Sequence, residues 1–205
     1  MAGDDEGGDV VSKVVIDGAG RFSCHYPFLA IIVTAHAKGR ENAMAVGWHS
    51  PISSKPPLYG IAIVSKRFTY ELIVESGEFA INFVPLEMAE VVASVGGVSG
   101  HQIDKFEHFA IAKEEAAKTS APLLKDAYAC YECKVVDNRP CGDHQWVVGE
   151  VVASHFSQQY FSAAGEMDVN AAKPTLYTGS ERYITTQAES LRHLDRKLHG
   201  QGRKD

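Results

Sequence analysis

The chain has 205 residues, of which 45% are hydrophobic and 22% charged, and its formal net charge is -6. That length and balance suffice for one folded domain without disulfide or metal support, and they exclude collagen-like, coiled-coil and disordered compositions. No basic stripe is present to displace counterions from nucleic acid. The longest apolar runs, Phe28–Val33 and Leu58–Val64, fall short of the roughly 20 residues that cross a bilayer, and Met1–Asp9 lacks the positive start and apolar stretch of a secretory signal. A cytoplasmic protein is expected.

In chain order, residues 1–12 are Gly/Asp-rich and read as an untethered tail. Phe28–Ala35 reads as a buried strand, Lys38–Asn42 as a turn and Ala43–Trp48 as a second strand, which together make a hairpin. Ser50–Pro57 is Pro/Ser-rich and is expected to be a loop, followed by a strand over Leu58–Val64. A short helix is predicted from Ser65 to Gly77, with Ser65 or Thr69 as N-cap and Gly77 closing it. Glu78–Val84 returns as a strand and Leu86–Val95 as a helix, which is broken at residues 96–100. Ala127–Val136 and Gln145–His155 form a second hairpin across a turn at 137–143. Leu191, Leu194 and Leu198 fall at helical spacing, predicting a C-terminal helix over Glu189–Leu198. These elements do not alternate as βαβ units, so a mainly β fold, a barrel with short helices, fits better than a doubly wound sheet. The domain is expected to span 13–188, with helix and polar tail at 189–205.

The four cysteines, Cys24, Cys130, Cys133 and Cys141, are too scattered for a disulfide framework. Cys130 and Cys133 form a CxxC. On a strand, residues three apart point to opposite faces, so neither a shared metal nor a helix-activated dithiol is expected, and the metal expectation is none.

No GxGxxG, Walker A, GxSxG or HExxH pattern occurs, so any bound phosphate must be held by another device. One candidate is Ser65-Lys66-Arg67-Phe68-Thr69 between a strand and a helix. Free N–H groups, hydroxyls and two cations converge there, as a phosphate dianion requires. Taken alone, the same residues read more readily as a hydroxyl cap flanked by solvated cations, since capping hydroxyls are routine.

Ala43–Leu58, the turn at 65–69 and Gly77–Asn82 together resemble the signature of the flavin-reductase-like, FMN-binding split-barrel family. So do Ser99-Gly100 with Asp104-Lys105-Phe106, and Gly142-Asp143-His144 leading into Gly149–Val152. The resemblance covers about residues 26–185 and rests on the order and spacing of the set. It implies a Greek-key antiparallel split β-barrel that is homodimeric. It also implies that Trp48, His49, Ser50 and Ser53 lie along the isoalloxazine ring, with Ser65, Lys66, Arg67 and Thr69 at the ribityl phosphate. Asn82, Ser99 and Lys105 are implied as further cofactor contacts. His144 is implied near the flavin and an incoming nicotinamide, where an imidazole can give a proton or orient a carboxamide. Without the resemblance, Trp48 reads as well as a core aromatic, and His144 as a turn residue bonded to Asp143.

The implied activity is NADH- or NADPH-dependent reduction of FMN, with FAD as the alternative cofactor, and electron delivery to a second flavin, ferric iron or another acceptor. Two rivals stand beside it. One is an FMN-holding electron carrier reduced by a partner protein, and the other is a flavin-free binding module.

Overall fold

The computed structural model describes residues 13–21 and 23–200. The Gly/Asp-rich start and the end of the polar tail lie outside the described residues. Seven antiparallel strands form the main sheet: β1 (Ile31–Ala37), β2 (Arg40–Val46), β3 (His49–Ser54), β4 (Pro57–Ile63), β5 (Glu78–Phe83), β6 (Ala129–Cys141) and β7 (His144–Phe156). Their spatial order is β2-β1-β5-β6-β7-β4-β3. β2 also approaches β4, yet no ladder joins the two among the described residues, so the barrel stays split along that seam.

Local chemistry accounts for the connections. β1 and β2 turn across Lys38 and Gly39, both at positive φ (48° and 72°), the twist that a two-residue hairpin needs. Helix α1 (Phe68–Ser76) ends where Gly77, at φ 70°, donates its N–H to Ile73, as the sequence predicts. Helix α2 (Ala89–Gly97) follows a 3-10 turn at Leu86–Met88, and α3 (Lys105–His108) is capped by the Asp104 carboxylate, which accepts from Glu107 N–H. A small sheet of Phe28–Leu29, Leu176–Tyr177 and Tyr183–Ile184 closes one end. No helix among the described residues is long and apolar enough to cross a membrane.

Several expectations need correction. Ser50–Pro57 is not a loop: most of it is β3, and because β3 is an edge strand it tolerates Pro51, whose missing N–H breaks no interior ladder. Neither Ser65 nor Thr69 caps α1; the N-cap is Arg67, with no side-chain bond. The second hairpin is longer than predicted, with β6 and β7 running to a tight turn at Gly142-Asp143. The C-terminal helix over 189–198 does not form, leaving a 3-10 turn at Ala188–Ser190 and one helical turn at Arg196–His199. Leu191 and Leu194 stay exposed there, and helical spacing without a surface to bury against does not hold a helix.

β1 is buried on both faces, which explains its unbroken apolar run. Ile31, Val33 and Ala35 pack into the barrel with Ile61, Ile63, Phe79 and Ile81, while Ile32 turns outward beneath Val92, Val95 and Phe106. The CxxC obeys the same alternation. Cys133 sits in the barrel core and Cys130 on the opposite face, 3.2 Å from Asn82 Oδ1, and burial pushes both thiols up to about 12.

One buried charge organises the far side. Glu132 on β6 is fully buried and accepts from the N–H groups of Ala117, Lys118 and Thr119, from the Thr119 hydroxyl and from His155. Burial alone would raise its pKa, but the bonds from His155 and the loop outweigh it and bring the carboxyl down to about 2. Because the folded value lies below the ordinary 4.5, this stabilisation is present above about pH 4.5 and is lost as pH falls toward 2. Glu132→Gln is expected to cost about 2 kcal/mol and to flatten the acid limb of stability, read from denaturant midpoints between pH 7 and pH 3.

Candidate functional site

A cleft of about 840 Å³ opens along the seam between β2 and β4. Its floor is Asn42 and Met44–Val46 of β2 with Gly47 and Trp48. One wall is Ala62–Val64 and the start of α1, the opposite wall is the end of α2 with Ser99 and Gly100, and Lys105 and the hairpin residue His144 complete it.

The two ends differ in chemistry. At the first, β4 runs into a tight turn in which Arg67 N–H bonds to Val64, and α1 begins without a side-chain cap, leaving its first N–H groups to a ligand or solvent. The Arg67 side chain makes no hydrogen bond or ion pair among the described residues, and Arg67 lines the cleft. Lys105, 2% exposed, donates from Nζ to Ala43 O at 2.9 Å and Val95 O at 2.6 Å, which leaves one N–H of the ammonium for a third acceptor. Burial and then the nearby Arg67 push Lys105 down to about 8. Neither cation forms an ion pair among the described residues, and Glu181 is the one acidic residue among those lining the cleft. Thr69 is fully buried, and its Oγ1 accepts from Asn42 Nδ2 at 2.8 Å, so its own proton remains to be donated.

At the second end the indole of Trp48, 40% exposed, meets the His144 ring at 4.8 Å. His144 Nδ1 lies 2.7 Å from the Asp143 carboxylate, which fixes the imidazole. The Phe28 ring packs over Gly47, where any Cβ would come within 2.1 Å of it. Tyr26, Tyr177 and Tyr183 extend this aromatic wall.

Of the residues singled out from sequence, Trp48, Arg67, Thr69, Ser99, Lys105 and His144 therefore converge on one cleft. The others do not line it. His49 points to the opposite side of the extended chain from Trp48, bonded to Tyr59 OH at 2.6 Å and Leu29 O at 2.8 Å, and burial lowers its pKa. Ser50 and Ser53 serve local bonds on exposed β3, and Ser65 and Lys66 are solvent-facing in the turn. Asn82 is fully buried and bonded to Ile32 O, Thr34 Oγ1 and Leu124 N–H. Sequence reasoning missed Asn42, which was assigned to a turn, and the aromatic wall with Glu181, whose residues lie far apart in the chain. Asn42 Oδ1 is buried without a partner and abuts Gly100.

The cleft in the seam of this split barrel thus brings Arg67 and Lys105 together with a set of aromatic rings that includes Trp48, Tyr177 and Tyr183. Residues 23–184 match the family model described as "Flavin reductase like domain", and the chain belongs to that family. Flavoredoxin from Methanosarcina acetivorans shares 28% identity and superposes with a TM-score of 0.79 over 89% of this chain and 96% of its own. An FMN-binding protein from Thermus thermophilus, solved with bound 1-cyclohex-2-enone, shares 27% identity with a TM-score of 0.77 over 89% and 97%. An uncharacterized protein from Archaeoglobus fulgidus is 32% identical over 145 residues, 71% of this chain and 80% of that one.

Gly100 is held close by its neighbours. A Cβ there would lie 2.3 Å from Asn42 Oδ1 and 2.7 Å from the Phe68 ring. Gly100→Ala is expected to destabilise the fold by about 1–3 kcal/mol through this overpacking, measured by denaturant unfolding.

Proposed function

We propose that the chain is an FMN-binding oxidoreductase that uses NADH or NADPH and delivers electrons to a second flavin, ferric iron or another acceptor, working as a cytoplasmic homodimer. The observation that carries this reading is the Arg67–Lys105 pair facing the cleft without a counter-charge. Two cations brought together with no carboxylate call for an anion, and a phosphate dianion fits the donors beside them.

When bound, the flavin supplies the redox chemistry, and the protein supplies binding, orientation and electrostatics. Arg67 and Lys105 would neutralise the phosphate, with the Thr69 hydroxyl, oriented by Asn42, and Ser99 as further donors. Trp48 would flank the ring system. His144, steadied by Asp143, stands where it would orient a nicotinamide carboxamide or hand a proton to a reacting ring. Support for pairing of two copies comes from the edge strand β3 with its exposed Ile52, and from Val136 and Phe156 exposed on the long hairpin.

The cation pair gives a selective test. Arg67→Ala is expected to weaken FMN binding about tenfold or more and riboflavin binding little, while Lys66→Ala, outside the cleft, changes neither, as read by calorimetry. Lys105 binds an anion only when protonated, so FMN affinity is expected to hold from about pH 7, where the phosphate is a dianion, to about pH 8 and to fall as pH rises further, with riboflavin unaffected. Equal loss for both ligands overturns the assignment.

The activity is tested by anaerobic stopped-flow mixing of the FMN-loaded protein with NADH and with NADPH. Bleaching of the flavin absorbance within seconds is expected. A flavin that stays oxidised for minutes refutes direct nicotinamide turnover and leaves the carrier reading. Protein that stays colourless after incubation with FMN refutes both.

A further inference from the structure

The cleft holds a second chemistry that the phosphate end does not use. Tyr177 and Tyr183 face each other in the small sheet, with ring centroids 5.4 Å apart, and Tyr26 meets Tyr177 edge-on at 5.6 Å. Phe28 packs beside Tyr177 at 5.7 Å and over Gly47, next to Trp48, so the tyrosine wall adjoins the Trp48–His144 end. The turn joining Tyr177 to Tyr183 carries Gly179, Ser180 and Glu181, all in the left-handed region at φ 85°, 51° and 59°. For two residues with side chains that is an uncommon backbone, and tertiary contacts hold it. Gly179 is buried against the Tyr26 ring, and Glu181 N–H donates to Tyr177 OH at 3.4 Å. The result sets the Glu181 carboxylate on the cleft beside Tyr183, with no ion pair among the described residues. The adjacent Arg182 is turned back on Gly179 O at 3.5 Å.

We propose that this aromatic and acidic end of the cleft is a subsite for a cationic ring, in which Glu181 supplies the counter-charge and the tyrosine rings supply the walls. Rings present their negative π-faces to a cation, and a carboxylate at the rim adds a charge that a neutral or anionic ring cannot exploit. The cations Arg67 and Lys105 stand at the opposite end, so the cleft is polarised along its length. The inference rests on the functional reading in one respect, the ring it names. A dihydronicotinamide that gives up hydride from C4 to the bound flavin loses two electrons with that hydrogen, and its neutral ring is left as a pyridinium of charge +1. Glu181 then favours the charged product and the transition state in which that charge develops, and it is a specificity residue for ring-bearing donors.

The test measures binding by titration calorimetry on the FMN-treated protein, with 1-methylnicotinamide (cation), nicotinamide (neutral) and nicotinate (anion) as probes. The cation is expected to bind about fivefold tighter than the neutral ring, and the anion weakest. Glu181→Gln is expected to abolish the preference, and Glu181→Lys to shift it toward nicotinate. Circular dichroism is expected to stay unchanged in both variants, whose side chain is exposed. Equal affinity for the three probes, no binding by any of them, or a preference unmoved by Glu181→Gln overturns the subsite even where FMN binds. A Glu181-dependent cation preference in protein that takes up no FMN upholds the subsite and overturns the functional reading instead.

Discussion

Two like charges held together without a counter-charge are the constraint on which the site depends. Lys105 is tied to carbonyl oxygens of β2 and α2, and Arg67 stands at the uncapped start of α1. Each would be better solvated alone. Their convergence is imposed by packing on both faces of β1 and β2: Val92, Val95 and Phe106 of α2 and α3 cover Ile32 and Ala43 on the outer face, while Phe68, Leu72 and Ile73 of α1 join Ile31, Val33 and Ala35 in the barrel core. The apolar layer therefore fixes the electrostatics, and the split between β2 and β4 gives the resulting field an opening.

The fold was legible where one physical rule dominated locally. The run from Ile31 to Ala35, Gly77 at a helix end and the alternation around Cys130 and Cys133 each left only one inexpensive backbone, whereas Phe28 and Leu29, read as the start of the same strand, belong to the small sheet. It was less legible where context overrode composition. Pro51 and its serines read as loop because a proline harms an interior strand, and nothing local says that β3 lies at an edge. The leucines at 191 and 194 read as a helix because periodicity does not reveal whether a partner surface exists.

The candidate site divides the same way. Several segments that carry the motif resemblance border the cleft, but the resemblance did not tell which residue of each faces it. Trp48 and His49 are neighbours on extended chain, so only one of them can line the cleft, and the turn gives Arg67 and Thr69 to it while Ser65 and Lys66 go to solvent. Asn82 looked like a ligand contact and is instead a core residue that satisfies backbone groups on both sides. The wall of Tyr26, Tyr177 and Tyr183 with Glu181 had no signal at all, because residues more than 150 positions apart meet only through the small sheet.

The unlaced seam between β2 and β4 has a consequence for the economy of the molecule as a whole. Strands that no ladder joins are held at their distance by the rest of the barrel, so whatever lodges between them also acts as a clasp. A tight occupant at a hundred times its dissociation constant would add about 2.7 kcal/mol to resistance against unfolding. Cells poor in the ligand would then hold less of the protein, not merely an idle form of it, and abundance itself would report on supply.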